Sequence, residues 1–201
     1  MLRTRVNLGK LEKLTKELLQ NLGCDLADEN LKESPRRLAA TWLELTAGLD
    51  RQGLEKMKTV FRKACTKTED SCDNLIILGG RFHSLCAHHF LPFRGQYLLA
   101  YIPDKHNIGA SKIQRIVNFH AAKPQVQEAL AHQVVDTLTE IVKPRGVAIW
   151  CGGVHDCMTL RGVKAHNAWM ENRHFQGEFL TNESLRNEFV MLAARGRPSL
   201  H

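Results

Sequence analysis

A change of hydrophobic period between residues 126 and 151 constrains the fold of this chain more than any other feature. Val126, Leu130, Val134, Leu138 and Ile141 form a long amphipathic stripe at helical spacing, ended by Pro144 and Gly146. The segment Gly146 to Cys151 (GVAIWC) follows at once and reads as a buried strand. Upstream, Leu8, Leu11, Leu14, Leu18 and Leu22 recur at three- and four-residue steps, with Gly23 as a stop. Ser34-Pro35 predicts an N-cap followed by proline at the first helical position, opening a helix with Leu38, Trp42 and Leu45 on one face that ends near Gly48. Asn74 to Leu78 reads as a short strand stopped by Gly79-Gly80, and Phe93 to Ile102 as a strand stopped by Pro103. Ser111 is expected to cap a helix with Ile113, Ile116 and Val117 inward, and Pro124 breaks the chain before the long stripe. A last strand is expected between Lys164 and Phe179, and Asn182 should cap a final helix through Leu192. Helices, strands, two helices, strands and a helix, with no internal repeat, predict an α+β fold with mainly antiparallel pairing. The expected organisation is an N-terminal helical segment over 1–50, a polar connector over 51–73 and a main domain over 74–201.

Composition sets the class. A chain of 201 residues, 43% hydrophobic and 24% charged, is long enough to bury a core as one domain without disulfide staples. No apolar run approaches the roughly 20 residues that span a bilayer, so no membrane association is expected. The start, MLRTRVNLGKLEK, lacks the apolar block and cleavage site of a secretory signal, which points to a cytoplasmic protein. The six cysteines then read as thiols or metal ligands, not as a disulfide framework. Lys and Arg exceed Asp and Glu by 28 − 21 = +7. Nucleic acid is disfavoured as the cause: there is no finger spacing and no basic zipper, and aromatic residues are only 6% of the chain. A solvated basic surface and a phosphorylated small molecule held by convergent Arg and Lys remain.

Cysteine and histidine cluster twice, at Cys86-Ala87-His88-His89 and at His155-Asp156-Cys157. The Cys-x-x-His spacing lets a tight turn aim Cys86 and His89 at one ion. With Cys157 they would form a Cys2His zinc site that keeps a position open for water. His88 and His155 would then lie beside the metal, free to move protons. One Cys-x-x-His pair among ten histidines is a weak signal; two clusters, each next to an apolar strand, are a stronger one. Cys24, Cys65, Cys72 and Cys151 read as inert thiols, and His83, His106, His120, His132, His166, His174 and His201 as solvated or packing residues. The His-x-Glu and Pro-Cys-x-x-Cys of zinc deaminases are absent.

Ser84-Leu85-Cys86-Ala87-His88-His89 resembles the Ser-Leu-Cys-Glu-His-His stretch of the GTP cyclohydrolase I family. The family's other marks follow in order: Ala100-Tyr101-Ile102-Pro103, Ser111 to Val117 (SKIQRIV), Gln125-Val126-Gln127-Glu128, His155-Asp156-Cys157-Met158 and Arg161-Gly162. Leu26-Ala27-Asp28 through Ser34-Pro35-Arg36-Arg37 matches the family's N-terminal helical part, so the resemblance spans roughly 20 to 192. It implies the tunnelling fold: an antiparallel sheet with helices on one face, preceded by N-terminal helices, in subunits that join their sheets into a barrel. It implies a homo-oligomer, typically a decamer, with active sites between subunits. It implies zinc on Cys86, His89 and Cys157, and His88 and His155 as catalytic groups. Glu128, with Gln127 beside it, would read the guanine edge, and Ser111, Lys112, Arg115, Arg161 and Arg37 would gather the triphosphate. The implied reaction is hydrolytic opening of the guanine imidazole ring of GTP. It releases formate and forms 7,8-dihydroneopterin triphosphate for folate, pterin or 7-deazaguanine synthesis. The alternatives are a divergent paralogue, acting on a related purine nucleotide or stopping at a formamidopyrimidine, and a non-catalytic oligomer of the same fold. The chain departs from the family pattern at Ala87, at Ala110, at Ala40 and most of all over 165–174, where bulky and charged residues replace small hydroxyls.

Overall fold

The structure is a computed structural model, and it describes residues 6–50, 52–55, 57–62 and 75–195. Lys56, Lys63, Lys67, Cys65, Cys72, Asn74 and His201 lie outside the described residues, as does the Arg62 side chain. Helices α1 (Leu8–Asn21) and α2 (Ser34–Leu45) come first, followed by a 3-10 turn at Ala47–Leu49, the short α3 (Gln52–Glu55) and β1 (Phe61–Arg62). Then come β2 (Ile76–Cys86), β3 (Pro92–Ile102), β4 (His106–Asn107), α4 (Ala110–Ala121), β5 (Pro124–Gln125) and α5 (Gln127–Val142). The chain closes with β6 (Gly146–His155), α6 (Asp156–Thr159), β7 (Met170–Gly177), α7 (Glu178–Thr181) and α8 (Glu183–Arg195). The main sheet has the order β5-β2-β3-β6-β7. Every pairing in it is antiparallel except the short β2–β5 contact. The α+β class and the antiparallel sheet are therefore as the sequence suggests.

The sheet is apolar on both sides, and side-chain alternation divides the core in two. Phe93, Tyr97, Leu99 and Tyr101 of β3 and Val147 and Ile149 of β6 face α4 and α5, where Ile113, Ile116, Val117, Leu130, Val134 and Leu138 meet them. Ala100, Ile102, Ala148 and Trp150 face the other way and are covered by Phe179, Phe189 and Ala193. The two long helices thus share one face, and the C-terminal α8 adds a smaller patch on the opposite one.

Several boundaries differ from the sequence expectation. Gly79-Gly80 does not stop β2, which runs through both glycines to Cys86. Gly80 is required by packing: a Cβ there would lie 2.7 Å from the Tyr97 ring and strike the Gln114 amide. Tyr97, its hydroxyl pushed up to about 12 by burial, donates to Gln114 Oε1 (2.8 Å), so aromatic bulk from β3 fills the gap that the glycine leaves. Ser111 does not cap α4. The helix starts at Ala110 with Gly109 as its N-cap, and Ser111 lies exposed in the first turn. Ser34 is not the N-cap but the first residue of α2, which has no side-chain cap, and Pro35 takes the second helical position instead of the first. Asn182 does cap α8, accepting from Leu185 N–H at 3.0 Å, and that helix continues past Leu192 to Arg195.

The divergent segment 165–174 is built into the fold on both sides of β7. Trp169 packs against Trp150, with ring centroids 6.3 Å apart, in the space that Gly152 leaves by lacking a Cβ. Both indole N–H groups donate to the Glu171 carboxylate, at 3.0 and 3.2 Å. On the other side of the strand, Asn172 and Gln176 reach α5. The polar and bulky residues of this strand therefore have partners within the chain.

Candidate metal centre

Two strand ends form the centre. β2 ends at Cys86, and the chain turns at once: Phe90 N–H donates to Cys86 C=O (2.9 Å) and Cys86 N–H to Leu91 C=O (2.8 Å). Phe90 takes a left-handed φ of 55° to close this turn, and Ala87 N–H is held by Gln125 C=O at 3.0 Å. The Phe90 ring packs edge-on against Trp42 of α2, with centroids 5.6 Å apart, so an N-terminal helix braces the turn that carries His88 and His89. Across β3, β6 ends at His155, and Cys157 follows in the single turn α6. Asp156, almost fully buried, anchors that turn through Arg94, whose guanidinium reaches both carboxylate oxygens at 2.9 and 3.2 Å.

The donors converge as the sequence spacing suggests. Cys86 Sγ lies 3.7 Å from His89 Nδ1 and 3.8 Å from Cys157 Sγ, and all three donor atoms fall within 4.8 Å of one another. A disulfide would need sulfurs about 2.05 Å apart, and both cysteines are free. Zinc bonds of about 2.3 Å to sulfur and 2.0 Å to nitrogen would put tetrahedral ligands about 3.8 Å (S–S) and 3.5 Å (S–N) apart. The residues present therefore fit zinc in both donor type and spacing. Burial and the neighbouring Cys86 hold the Cys157 thiol up, against a pull from Arg161; that pull places Arg161 within electrostatic reach of the cluster.

His155 is the most constrained of the polar groups here. Its ring stacks on Phe93, directly opposite in the β3–β6 register, with centroids 4.6 Å apart and an interplanar angle of 2°. Its Nε2 lies 3.1 Å from Gln127 Oε1. The Gln127 amide nitrogen faces Cys151 C=O (3.3 Å), Met170 C=O (3.0 Å) and Asn172 Oδ1 (3.0 Å), so its oxygen must be the end turned to His155. His155 Nε2 therefore donates, and Nδ1 is left to exchange a proton. Burial lowers the His155 pKa, against the raising effect of the nearby Glu128 and Asp156 carboxylates. His88, exposed, sits with Nδ1 3.9 Å from Cys86 Sγ.

Gln127 is placed differently from the sequence expectation. Its side chain is fully buried and committed to β6, β7 and His155, so it positions a histidine and does not turn outward beside Glu128. Glu128 is exposed at the start of α5, within electrostatic reach of His155. Ser111, Lys112 and Arg115 do not join the cluster within one chain. α4 lies along β2 with Gln114 on Arg81 C=O, while Ser84 Oγ donates to Lys123 C=O just beyond the helix's far end. Its first turn is thus directed away from Cys86. The five residue steps from Arg81 to Cys86 alone span roughly 16 Å at strand rise. Arg37 is exposed on α2 and shows no contact with the cluster among the described residues. The Arg94–Asp156 pair was not singled out from sequence, since an isolated Arg in a strand gives no signal of its partner 62 residues away.

Comparison with known proteins agrees with the ordered motifs. Residues 11–194 match the family model described as GTP cyclohydrolase I. The GTP cyclohydrolase 1 of Rickettsia africae (strain ESF-5) is 36% identical over 178 residues, covering 89% of this chain and 92% of that protein. The GTP cyclohydrolase 1 of Wolinella succinogenes is 32% identical over 181 residues, covering 90% and 94%. Among solved structures, the apo archaeosine synthase QueF-Like aligns over 51% of this chain and 93% of its own, with a TM-score of 0.43 and 16% identity.

Proposed function

The chain belongs to the GTP cyclohydrolase I family, and from that membership we propose that it opens the guanine imidazole ring of GTP by zinc-dependent hydrolysis. The reaction releases C8 as formate and yields 7,8-dihydroneopterin triphosphate, consuming one water overall. The observation that carries this reading is the convergence of a tetrahedrally spaced Cys86–His89–Cys157 donor set with a histidine locked into one tautomer beside it.

In this reading Cys86, His89 and Cys157 hold the zinc, which when bound supplies a Lewis acid that makes water nucleophilic at neutral pH. Glu128 accepts the N1–H and 2-amino N–H of guanine as two parallel charge-assisted bonds. His155, fixed by the Phe93 ring and by Gln127, takes a proton at Nδ1 from the attacking water and passes it to purine N7 as the C8–N7 bond weakens. His88 is the second proton carrier. Arg161 binds phosphate from the metal's own chain.

Ser111, Lys112 and Arg115 serve the site of a neighbouring copy, where the start of α4 favours an anion; Arg37 joins the same phosphate shell. Their separation from Cys86 along β2 supports a shared site, and with it a homo-oligomer, which we take to be a decamer. The sheet also supports joining: among the described residues, β2 over 76–84 pairs only with β3, and β7 only with β6. Two strand edges are thus left to meet those of other copies.

Single-turnover formate release tests the proton roles. At matched zinc content, His155→Ala and His88→Ala should each slow formate release roughly 100- to 10,000-fold. Wild-type rates in both variants would reduce these histidines to packing residues.

A further inference from the structure

A second set of metal-type donors lies midway along α5 and shares no residue with the Cys86 cluster. His132 and Asp136, one turn apart, stand on the exposed stripe of that helix, and His174 reaches them from β7. One donor atom from each falls within 4.8 Å of the others. His132 Nδ1 is 2.8 Å from Asp136 Oδ2, and the His132 and His174 rings lie 4.5 Å apart. The carboxylate is held in place from behind: Gln176 Nε2 donates to Asp136 Oδ1 (2.9 Å), and Thr139 Oγ1 fixes the same glutamine through Oε1 (2.8 Å). No step of the proposed reaction uses His174.

We propose that His132, Asp136 and His174 form a second metal site, separate from the Cys86–His89–Cys157 centre, that takes a zinc-class divalent cation. Two imidazoles and one carboxylate select borderline transition ions over magnesium and calcium, which prefer all-oxygen shells. Gln176 provides the outer hydrogen bond that orients the carboxylate toward the ion. The cation links β7, at the edge of the sheet, to α5, and leaves coordination positions open to water or to a donor from another copy.

The test is a Co2+ titration of tag-free, metal-stripped full-length protein, read by absorbance and by metal content per chain. The wild type should take two equivalents, and only one should show the near-ultraviolet thiolate-to-cobalt band. Cys157→Ser should lose the banded equivalent and keep the other. His174→Ala and His132→Ala should do the reverse, and Gln176→Ala should weaken the band-free equivalent by roughly 10- to 100-fold. The proposal is overturned if the wild type takes a single equivalent, or if the band-free one persists at full affinity in His174→Ala and His132→Ala. Failure of the cysteine centre would show separately, as a missing thiolate band.

Discussion

Gln127 links the His155 end of β6 to β7 through one buried amide. Its oxygen fixes His155, while its nitrogen is taken up by Cys151 C=O, Met170 C=O and Asn172. Replacing it by Leu keeps the bulk and removes the orientation of the histidine. Gln127→Leu is expected to keep stoichiometric zinc and lose turnover by about 100-fold, the scale of a small misplacement of a reacting group; kcat measured at matched zinc content checks this. The convergence of Cys86, His89 and Cys157 was legible in the sequence because they stand in two short Cys/His groups, each at the end of an apolar strand. The role of Gln127 was not, because its partners lie 24 to 45 residues away and sequence spacing carries no such contact. Asp156 and Arg94 were missed for the same reason.

Elements were legible where period alone decides them. The stripes of α1, α4 and α5 and the apolar run of β6 each appear within a few residues of their expected bounds. The β2 strand was shortened at Gly79-Gly80, since glycine reads as a stop unless a neighbour fills the space above it. Tyr97 fills that space from the adjacent strand. Gly80→Ala would press a methyl against the Tyr97 ring and displace the Gln114 amide that ties α4 to Arg81. The expected cost is about 1–3 kcal/mol of stability, measured by urea unfolding; an unchanged midpoint would show that the ring yields freely. The same contact holds α4 in its alignment on β2, and that alignment turns Ser111 and Lys112 away from the Cys86 end of their own chain.

The molecule as a whole is an open sheet with helices on both faces, and its site residues divide into two groups. Cys86, His89, Cys157, His155, Glu128 and Arg161 gather at one end, while the first turn of α4 points to the other. If each active site draws on two copies, Cys157→Ser and Arg115→Ala are each inactive alone, and complement each other when mixed and reassembled. Mixed assemblies should regain about a quarter of wild-type activity at most, by random pairing across a two-copy site. No recovery, with subunit exchange verified by mass, would place all the residues of a site in one chain. No helix among the described residues is long and apolar enough to cross a membrane. Mass spectrometry of the products after incubating zinc-loaded protein with GTP reads the chemistry itself. The expected result is conversion to 7,8-dihydroneopterin triphosphate with one formate per nucleotide consumed. Unchanged GTP, or accumulation of a formamidopyrimidine nucleotide with no pterin, would contradict it.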